Sequence, residues 1–334
     1  MPLTDIPERY RAKADELAQA FANLPKQPIV VAGHVNLDGD ALGAMVACAY
    51  VAEQVGAQPF LYAVNGIPDF LAFFSQPYPL LTAKDGQRLQ PAAAILVDLG
   101  DFSRIGGSFQ DEVKELPILN IDHHEGTGIG TLATWVEPRA CACCELVAYV
   151  GITRGLSLSG LFGEALALGL VTDTGGFAHT NTSAEAFALA HLLTQAGVSI
   201  PLLREKLANN VRHERMYLWA HLVPKVVFSS EGALALCPVA LEDLAVCGAK
   251  KEDLEGFVEY ILRLQGVAVA CVVREDAPTS CKYSLRSRRA DVCAVAQSLN
   301  GGGHKNAAGG TLSMDLSSAC HCLTTHLSSL DLSL

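Results

Sequence analysis

The sequence is short of positive charge and has no long apolar run. Its 334 residues include 24 Lys plus Arg against 35 Asp plus Glu, a net charge of −11 at pH 7 with His neutral. Proteins that coat long nucleic acids rely on a broad basic surface, so we do not expect that class here. No stretch approaches the roughly 18 uninterrupted apolar residues of a membrane-spanning helix. The charged segment Met1–Glu16 lacks the apolar core of a signal peptide, so we expect a cytoplasmic protein without a membrane partner.

The cysteines do not form a disulfide or zinc pattern. There are eleven, an odd number, and most stand in apolar stretches, which is typical of reduced and buried cysteines. The one dense group, Cys141-Ala142-Cys143-Cys144, has no second pair at the spacing of a zinc site. We interpret it as the start of an Ala/Cys-rich helix. Half of the residues are hydrophobic, and the length favours two globular domains.

Apolar runs and polar turns predict an α/β fold with a parallel sheet in the N-terminal half. Buried strands are expected at 28–31, 93–97 and 116–121, with helices at 40–56, 140–154, 161–172 and 183–197. The more polar stretch 199–222 is predicted to be helical. From Lys225 onward, strands at 226–228, 234–237, 267–273 and 282–285 and helices near 251–264 and 291–299 indicate a smaller α/β domain. We therefore expect domains at 1–197 and 225–334, with a helical connector over 198–224.

Acidic residues and histidines follow each of the three predicted strands. His34, Asp38 and Asp40 follow the first strand, Asp98 follows the second, and Asp122-His123-His124 follow the third; Asp173 follows an apolar helix. A single Asp at such a place is usually a helix cap or a turn residue. Several such groups at the carboxyl ends of parallel strands predict a shared site. Their carboxylates would repel one another unless cations neutralised them, and mixed Asp and His ligation suits Mn²⁺ or Mg²⁺.

These motifs, in this order, resemble the DHH phosphoesterase family, which is named for Asp122-His123-His124. The C-terminal segment Gly301-Gly302-Gly303-His304-Lys305, preceded by Ser284-Leu285-Arg286-Ser287, resembles the DHH-associated substrate-binding domain. The resemblance covers nearly the whole chain and implies an active-site cleft between the two domains. It is strongest to short two-domain members that act as oligoribonucleases and as phosphatases on 3′-phosphoadenosine 5′-phosphate (pAp).

The resemblance also implies a role for each motif residue. One divalent ion would be held by His34, Asp38 and Asp98, and a second by Asp40, Asp98, His123 and Asp173. Asp122 would orient a ligating histidine, while His124 and Arg104 would face the scissile phosphate. In the C-terminal domain a further phosphate, or the end of a short nucleotide chain, would be bound by Arg286, Gly301, Gly302, Gly303, His304 and Lys305. One departure from the pattern is Ala178, where several relatives that cleave oligonucleotides carry a basic residue; His179 is a candidate replacement.

The expected activity is hydrolysis of short oligoribonucleotides to mononucleotides and of pAp to AMP, with two Mn²⁺ or Mg²⁺ ions as cofactors. Three alternatives stay open at this point. A cyclic or linear dinucleotide is one, and inorganic pyrophosphate or polyphosphate is another. The third is a nucleotide sensor without catalysis, which the intact ligand set disfavours. A homodimer is compatible with the sequence but not specified by it.

Overall fold

The computed structural model describes residues 6–85, 90–107, 109–209 and 212–332. The chain divides into two compact units, Met1–Asn210 and Val211–Leu334. The domain boundaries expected from the sequence stay predictions. Among the described residues, no single helix is both long and apolar enough to cross a membrane. The helices Ala184–Gln195 and Ile200–Ala208 reach that length and composition only as a pair, and they meet at a bend of 104°.

The first unit is built on a six-stranded parallel sheet with the order β3-β2-β1-β4-β5-β6. Its strands are β1 (Pro28–Ala32), β2 (Gln58–Tyr62), β3 (Leu80–Leu81), β4 (Ala94–Val97), β5 (Ile118–Asp122) and β6 (Ala133–Val136). Its helices are α1 (Glu8–Ala22), α2 (Gly39–Glu53), α3 (Phe109–Lys114), α4 (Cys143–Thr153), α5 (Gly160–Asp173), α6 (Ala184–Gln195) and α7 (Ile200–Ala208). The parallel sheet expected for this half of the chain is confirmed.

Both faces of the parallel sheet are buried, which explains why its strands are continuously apolar. Ile29 and Val31 of β1 face a large core that includes residues of α1, α2, α4 and α5. Val30 and Ala32, which point the other way, face a smaller core that includes Val113 of α3. All eleven cysteines are free, and eight of them are buried. Reduced and buried cysteines were expected from their apolar surroundings.

The second unit contains a six-stranded sheet with the order β11-β12-β10-β9-β8-β7, antiparallel except for the parallel pair β8 and β9. The strands are β7 (Val227–Ser229), β8 (Leu234–Val239), β9 (Val269–Ala277), β10 (Ser280–Ser287), β11 (Gly302–His304) and β12 (Ala307–Leu312). The helices are α8 (His213–Leu222), α9 (Leu241–Val246), α10 (Phe257–Leu262), α11 (Val292–Ser298) and α12 (Leu316–Leu327). The expected smaller α/β domain is confirmed.

Two of the predicted helices are interrupted. The helix expected over 199–222 is split into α7 and α8, because Arg212 adopts an extended conformation (φ −69°, ψ 147°) immediately before His213. Asn209, the residue that caps the end of α7, belongs to a residue type that favours caps over helix interiors. The helix expected near 251–264 is a 3₁₀ turn, Lys251–Leu254, followed by α10, with Gly256 in the left-handed region at φ 77° between them.

Candidate metal centre

The residues that follow β1, β4 and β5 meet at one edge of the parallel sheet. These three strands are neighbours in the sheet order, so their carboxyl ends lie side by side. His34 and Asp38 come from the turn between β1 and α2, Asp40 lies in the first turn of α2, and Asp98 follows β4 directly. Asp122 ends β5, and His123 and His124 come next. Asp173, the last residue of α5, completes the site.

The first group of potential metal ligands consists of His34, Asp38 and Asp98. His34 Nε2 lies 3.2 Å from Asp98 Oδ2 and 3.5 Å from Asp38 Oδ2. Asp38 also caps α2, because its Oδ1 accepts a hydrogen bond of 2.9 Å from the backbone N–H of Ala41. The cap occupies one carboxylate oxygen of Asp38 and leaves the other facing His34. Asp38 therefore caps α2 with one oxygen and offers the other oxygen to the site.

The second group consists of Asp40, His123 and Asp173. His123 Nε2 lies 3.2 Å from Asp173 Oδ2 and 3.8 Å from Asp40 Oδ2. On the other side of the imidazole, Nδ1 is 3.3 Å from the carbonyl oxygen of Ala140, to which an Nδ1–H donates. A neutral His123 in that tautomer presents the lone pair of Nε2 to the carboxylates, as a metal ligand does.

Asp98, a member of the first group, also lies next to His123 of the second group. Its Oδ2 is 3.2 Å from His34 Nε2, and its Oδ1 is 3.4 Å from His123 Nε2. The residue is 2% exposed, and Oδ1 has no hydrogen-bond donor among the described residues. Asp98 also has a φ of 57°, in the left-handed region that few residues other than glycine adopt. An unsatisfied carboxylate oxygen between two sets of ligands fits a position shared by two cations.

Asp40 is held by the beginning of α4. The carboxylate is completely buried and accepts hydrogen bonds of 2.6 Å from the N–H of Cys143 and 2.9 Å from the N–H of Cys144. The first N–H groups of a helix lack partners within the helix and attract anions. The helix predicted to begin at the Ala/Cys-rich stretch is confirmed, but the contact of its N-terminus with Asp40 was not foreseen. Gly169 of α5 makes room for this contact, since a Cβ there would lie 2.3 Å from Asp40 Oδ1.

Charge repulsion contributes to raised pKa values for two of the carboxylates, Asp40 and Asp173. Burial and the charge of Asp98 raise the pKa of Asp40 to about 6, and burial and the charge of Asp40 raise the pKa of Asp173 well above its usual range. Burial alone would lower the pKa of both ligand histidines. Hydrogen bonds to Asp38 and Asp98 outweigh it and raise the pKa of His34 to about 9, while Asp98, Asp40 and Asp173 raise the pKa of His123 to about 10. In the absence of metal, protons on the imidazoles therefore balance the carboxylates, and divalent cations fit this donor set.

The side chain of Asp122 forms hydrogen bonds with His124. Its Oδ1 accepts hydrogen bonds from His124 Nδ1 at 2.8 Å and from the backbone N–H of His124 at 3.1 Å. Burial raises the pKa of Asp122, but these bonds to His124 outweigh it, so the pKa is lowered. The ring of His124 is thereby oriented at the edge of the site, with Nδ1 3.4 Å from Asp98 Oδ1.

The other predicted site residues have contacts of their own within each unit. Arg104 stands in a 3₁₀ turn, Phe102–Arg104, and its carbonyl oxygen accepts a hydrogen bond from the N–H of Val35. In the second unit, the guanidinium of Arg286 pairs with Glu259 at 2.7 Å. Gly302, Gly303 and His304 form β11, which pairs with β12, and Lys305 follows it; a Cβ on Gly301 would lie 2.4 Å from the carbonyl oxygen of Gly309. Close packing thus explains Gly301 without a ligand.

Sequence reasoning missed two asparagines that support the site. Asn120, completely buried in β5, donates to the carbonyl oxygens of Leu96 (3.1 Å) and Leu99 (3.0 Å) and accepts from the N–H of Ile129. It therefore braces the backbone on both sides of Asp98. Asn181 donates to the carbonyl oxygens of Cys141 and Asp173, and so joins the segment before α4 to the end of α5. The only signal for Asn120 in the sequence was a polar residue within an apolar strand.

Comparisons with known proteins identify the family of this chain. The family model of the DHH family, N-terminal domain, matches residues 28–170, and that of the DHHA1 domain matches residues 244–320. The bifunctional oligoribonuclease and PAP phosphatase NrnA of Thermus thermophilus is 31% identical over 93% of this chain and 92% of its own. The protein of the same name from Bacillus subtilis is 23% identical over 85% of this chain and 89% of its own.

A solved structure has the same overall fold. The exopolyphosphatase-related protein from Bacteroides fragilis is 25% identical, with a TM-score of 0.85 over 95% of this chain and 96% of its own. The fold and the site define a metal-dependent phosphoesterase. The chain belongs to the DHH family and is similar along nearly its whole length to the NrnA proteins.

Proposed function

We propose that this phosphoesterase hydrolyses short oligoribonucleotides to mononucleotides and removes the 3′-phosphate of pAp to yield AMP. The observation that carries the proposal is the pair of ligand groups that flank Asp98. The relatives named for these two activities support the choice of substrate, because they match more than four fifths of this chain. The acidic charge of the chain supports a short substrate over a long nucleic acid.

His34, Asp38 and Asp98 would hold one divalent ion, and Asp40, Asp98, His123 and Asp173 would hold the other. Manganese is our first choice and magnesium the second. Oxygen and imidazole ligands suit these two ions better than they suit a metal that prefers thiolates. When bound, such a pair of ions polarises the phosphoryl oxygens and makes a water molecule a strong nucleophile at neutral pH.

The protein side chains orient the ligands and the substrate. Asp122 fixes the ring of His124 through Nδ1, and we assign His124 the role of hydrogen-bond donor to the scissile phosphate or the leaving oxygen. We propose that Arg104 contributes a guanidinium to the same phosphate, which it can contact through two N–H groups. In the second unit, we propose that Arg286, Gly301, Gly302, Gly303, His304 and Lys305 bind a further phosphate of the substrate.

The test is the initial rate with Mn²⁺ on pAp and on the dinucleotide pApA, with products identified by mass spectrometry. AMP from both substrates supports the proposal. AMP from pApA alone would replace it with a dinucleotide phosphodiesterase. No turnover of either substrate by protein that holds two metal ions would overturn it and direct attention to inorganic phosphate polymers or to a sensor. Asp111→Asn, which removes an exposed carboxylate on α3, is the control for Asp98→Asn, which should abolish turnover.

A further inference from the structure

Two consecutive glycines follow the proposed metal ligand Asp173. A side chain from elsewhere in the chain packs against the backbone of each glycine. Gly175 (φ 57°) and Gly176 (φ 67°) both adopt left-handed conformations after the end of α5. A Cβ on Gly175 would lie 2.4 Å from His179 Nε2, so the imidazole rests on this glycine. His179 Nδ1 is 3.2 Å from the carbonyl oxygen of Asp173, to which an Nδ1–H donates. The imidazole is therefore fixed against the loop that supplies a metal ligand.

The guanidinium of Arg204, a residue of α7, packs against the second glycine, Gly176. A Cβ on Gly176 would lie 3.0 Å from each of Cζ, Nε and Nη2 of Arg204. Three equal distances mean that the guanidinium lies flat over the glycine, with its N–H groups at the rim. A Cβ at position 176 would require the guanidinium to shift by a few tenths of an ångström. Because Gly176 has no side chain, the guanidinium of Arg204 can pack directly against its backbone.

Arg204 has no structural partner to explain this position. The side chain is exposed, and no hydrogen bond or ion pair links it to another residue in the described part of the chain. Arginines with a structural role usually donate to a carboxylate or to backbone carbonyl oxygens. In this chain Arg215 and Arg288 do so. A guanidinium that is held flat, with unused donors, is suited to an external anion.

The distance from the metal ligands limits which anion can bind there. Three peptide units separate the Cα atoms of Asp173 and Gly176, so these atoms lie within about 11 Å of each other. A group bound by Arg204 thus lies beside the loop that follows Asp173. Ala178 supplies no charge at the position where a basic residue was expected, and Arg204 brings one to the same loop from a different helix.

We propose that Arg204 is a substrate-binding residue that holds a phosphate of the nucleotide other than the one hydrolysed. This proposal rests on the proposed function, because it assumes a substrate with at least two phosphates. Arg204 forms planar, paired hydrogen bonds with two oxygens of that phosphate, and His179 lies beside it on Gly175. The contact favours nucleotides that carry a second phosphate over simple phosphate monoesters.

The experiment compares Arg204→Gln with Lys206→Gln on two substrates. Both variants remove one exposed positive charge from α7. The substrates are pAp, with two phosphates, and p-nitrophenyl phosphate, with one. We expect Arg204→Gln to lower kcat/KM on pAp about 10- to 100-fold, mainly through KM, with a much smaller loss on p-nitrophenyl phosphate. Lys206→Gln should change neither value more than about twofold, and Arg204→Lys should recover part of the loss.

An equal loss on both substrates would overturn the proposal, because it would mean that Arg204 only supports the loop. An unchanged kcat/KM on pAp would overturn it as well. If the wild-type protein hydrolyses neither substrate, the proposed function fails, and binding of pAp at equilibrium then tests Arg204 separately. In that case, tenfold weaker binding by Arg204→Gln supports the phosphate contact, and equal binding overturns it.

Discussion

Replacing Asn120 by alanine should destabilise the first unit and weaken metal binding together. The side chain makes three hydrogen bonds to backbone groups in the buried strand region: two to the carbonyl oxygens of Leu96 and Leu99 and one from the N–H of Ile129. At about 1 kcal/mol for each bond, the free energy of unfolding should fall by about 3 kcal/mol. Because Leu96 and Leu99 flank Asp98, the left-handed conformation of Asp98 also loses its support, and affinity for Mn²⁺ should fall about 10- to 100-fold.

The assay is urea unfolding of metal-free protein followed by tryptophan fluorescence. The chain has two tryptophans, and a Trp219→Phe background leaves Trp135, buried in the first unit, as the reporter. The control is Asn65→Ala, since Asn65 makes one exposed hydrogen bond to the carbonyl oxygen of Val35 and should cost less than 1 kcal/mol. A loss below about 1 kcal/mol for Asn120→Ala, with unchanged Mn²⁺ affinity, would refute the reasoning.

Two further predictions concern the same site. Gly169→Ala places a Cβ 2.3 Å from Asp40 Oδ1 and 2.4 Å from Cys144 Sγ. The substitution should lower the free energy of unfolding by about 1–3 kcal/mol and weaken Mn²⁺ binding. Melting and Mn²⁺ titration curves that match those of a Gly126→Ala control would contradict the packing argument. Because the pKa values of His34 and His123 are raised to about 9 and about 10, both rings are protonated at pH 7 in metal-free protein, and metal loading must release protons. Calorimetry in buffers of different ionisation enthalpy should show this release. The stabilisation from the charged rings is fully present below about pH 6.5 and is lost as the pH rises through 9 to 10, so the Tm of metal-free protein should fall across that window. A Tm and a Mn²⁺ affinity that do not change with pH would be inconsistent with protonated ligands.

The position of the site could be predicted because it depends on strand ends. His34, Asp98 and Asp122 each follow a short apolar run, and parallel strands bring such ends to one edge. The residues that support the ligands could not be predicted in this way. Cys143 and Cys144 reach Asp40 with backbone N–H groups, which carry no signal in side-chain chemistry. A contact across 103 residues depends on how α4 packs on the sheet.

Some parts of the fold could not be predicted from the local sequence. The strand β2 contains Pro59, a residue that usually argues against an interior strand, yet β2 lies between β1 and β3. The contact between Arg204 and Gly176 joins a loop to a later helix. A glycine in a sequence does not show which side chain will pack against it. In each case tertiary packing decided the outcome.

The number of manganese ions per chain tests the central claim most directly. We predict two Mn²⁺ per wild-type chain by elemental analysis, with activity lost on chelation and restored by Mn²⁺. Asp38 belongs to one ligand group only, whereas Asp98 lies between both. Asp38→Ala should therefore retain one ion, and Asp98→Ala should retain fewer ions than Asp38→Ala while keeping the far-UV circular dichroism of the wild type. A wild-type chain that binds one ion or none, or an Asp98→Ala variant that still binds two, would contradict a two-metal centre built around Asp98.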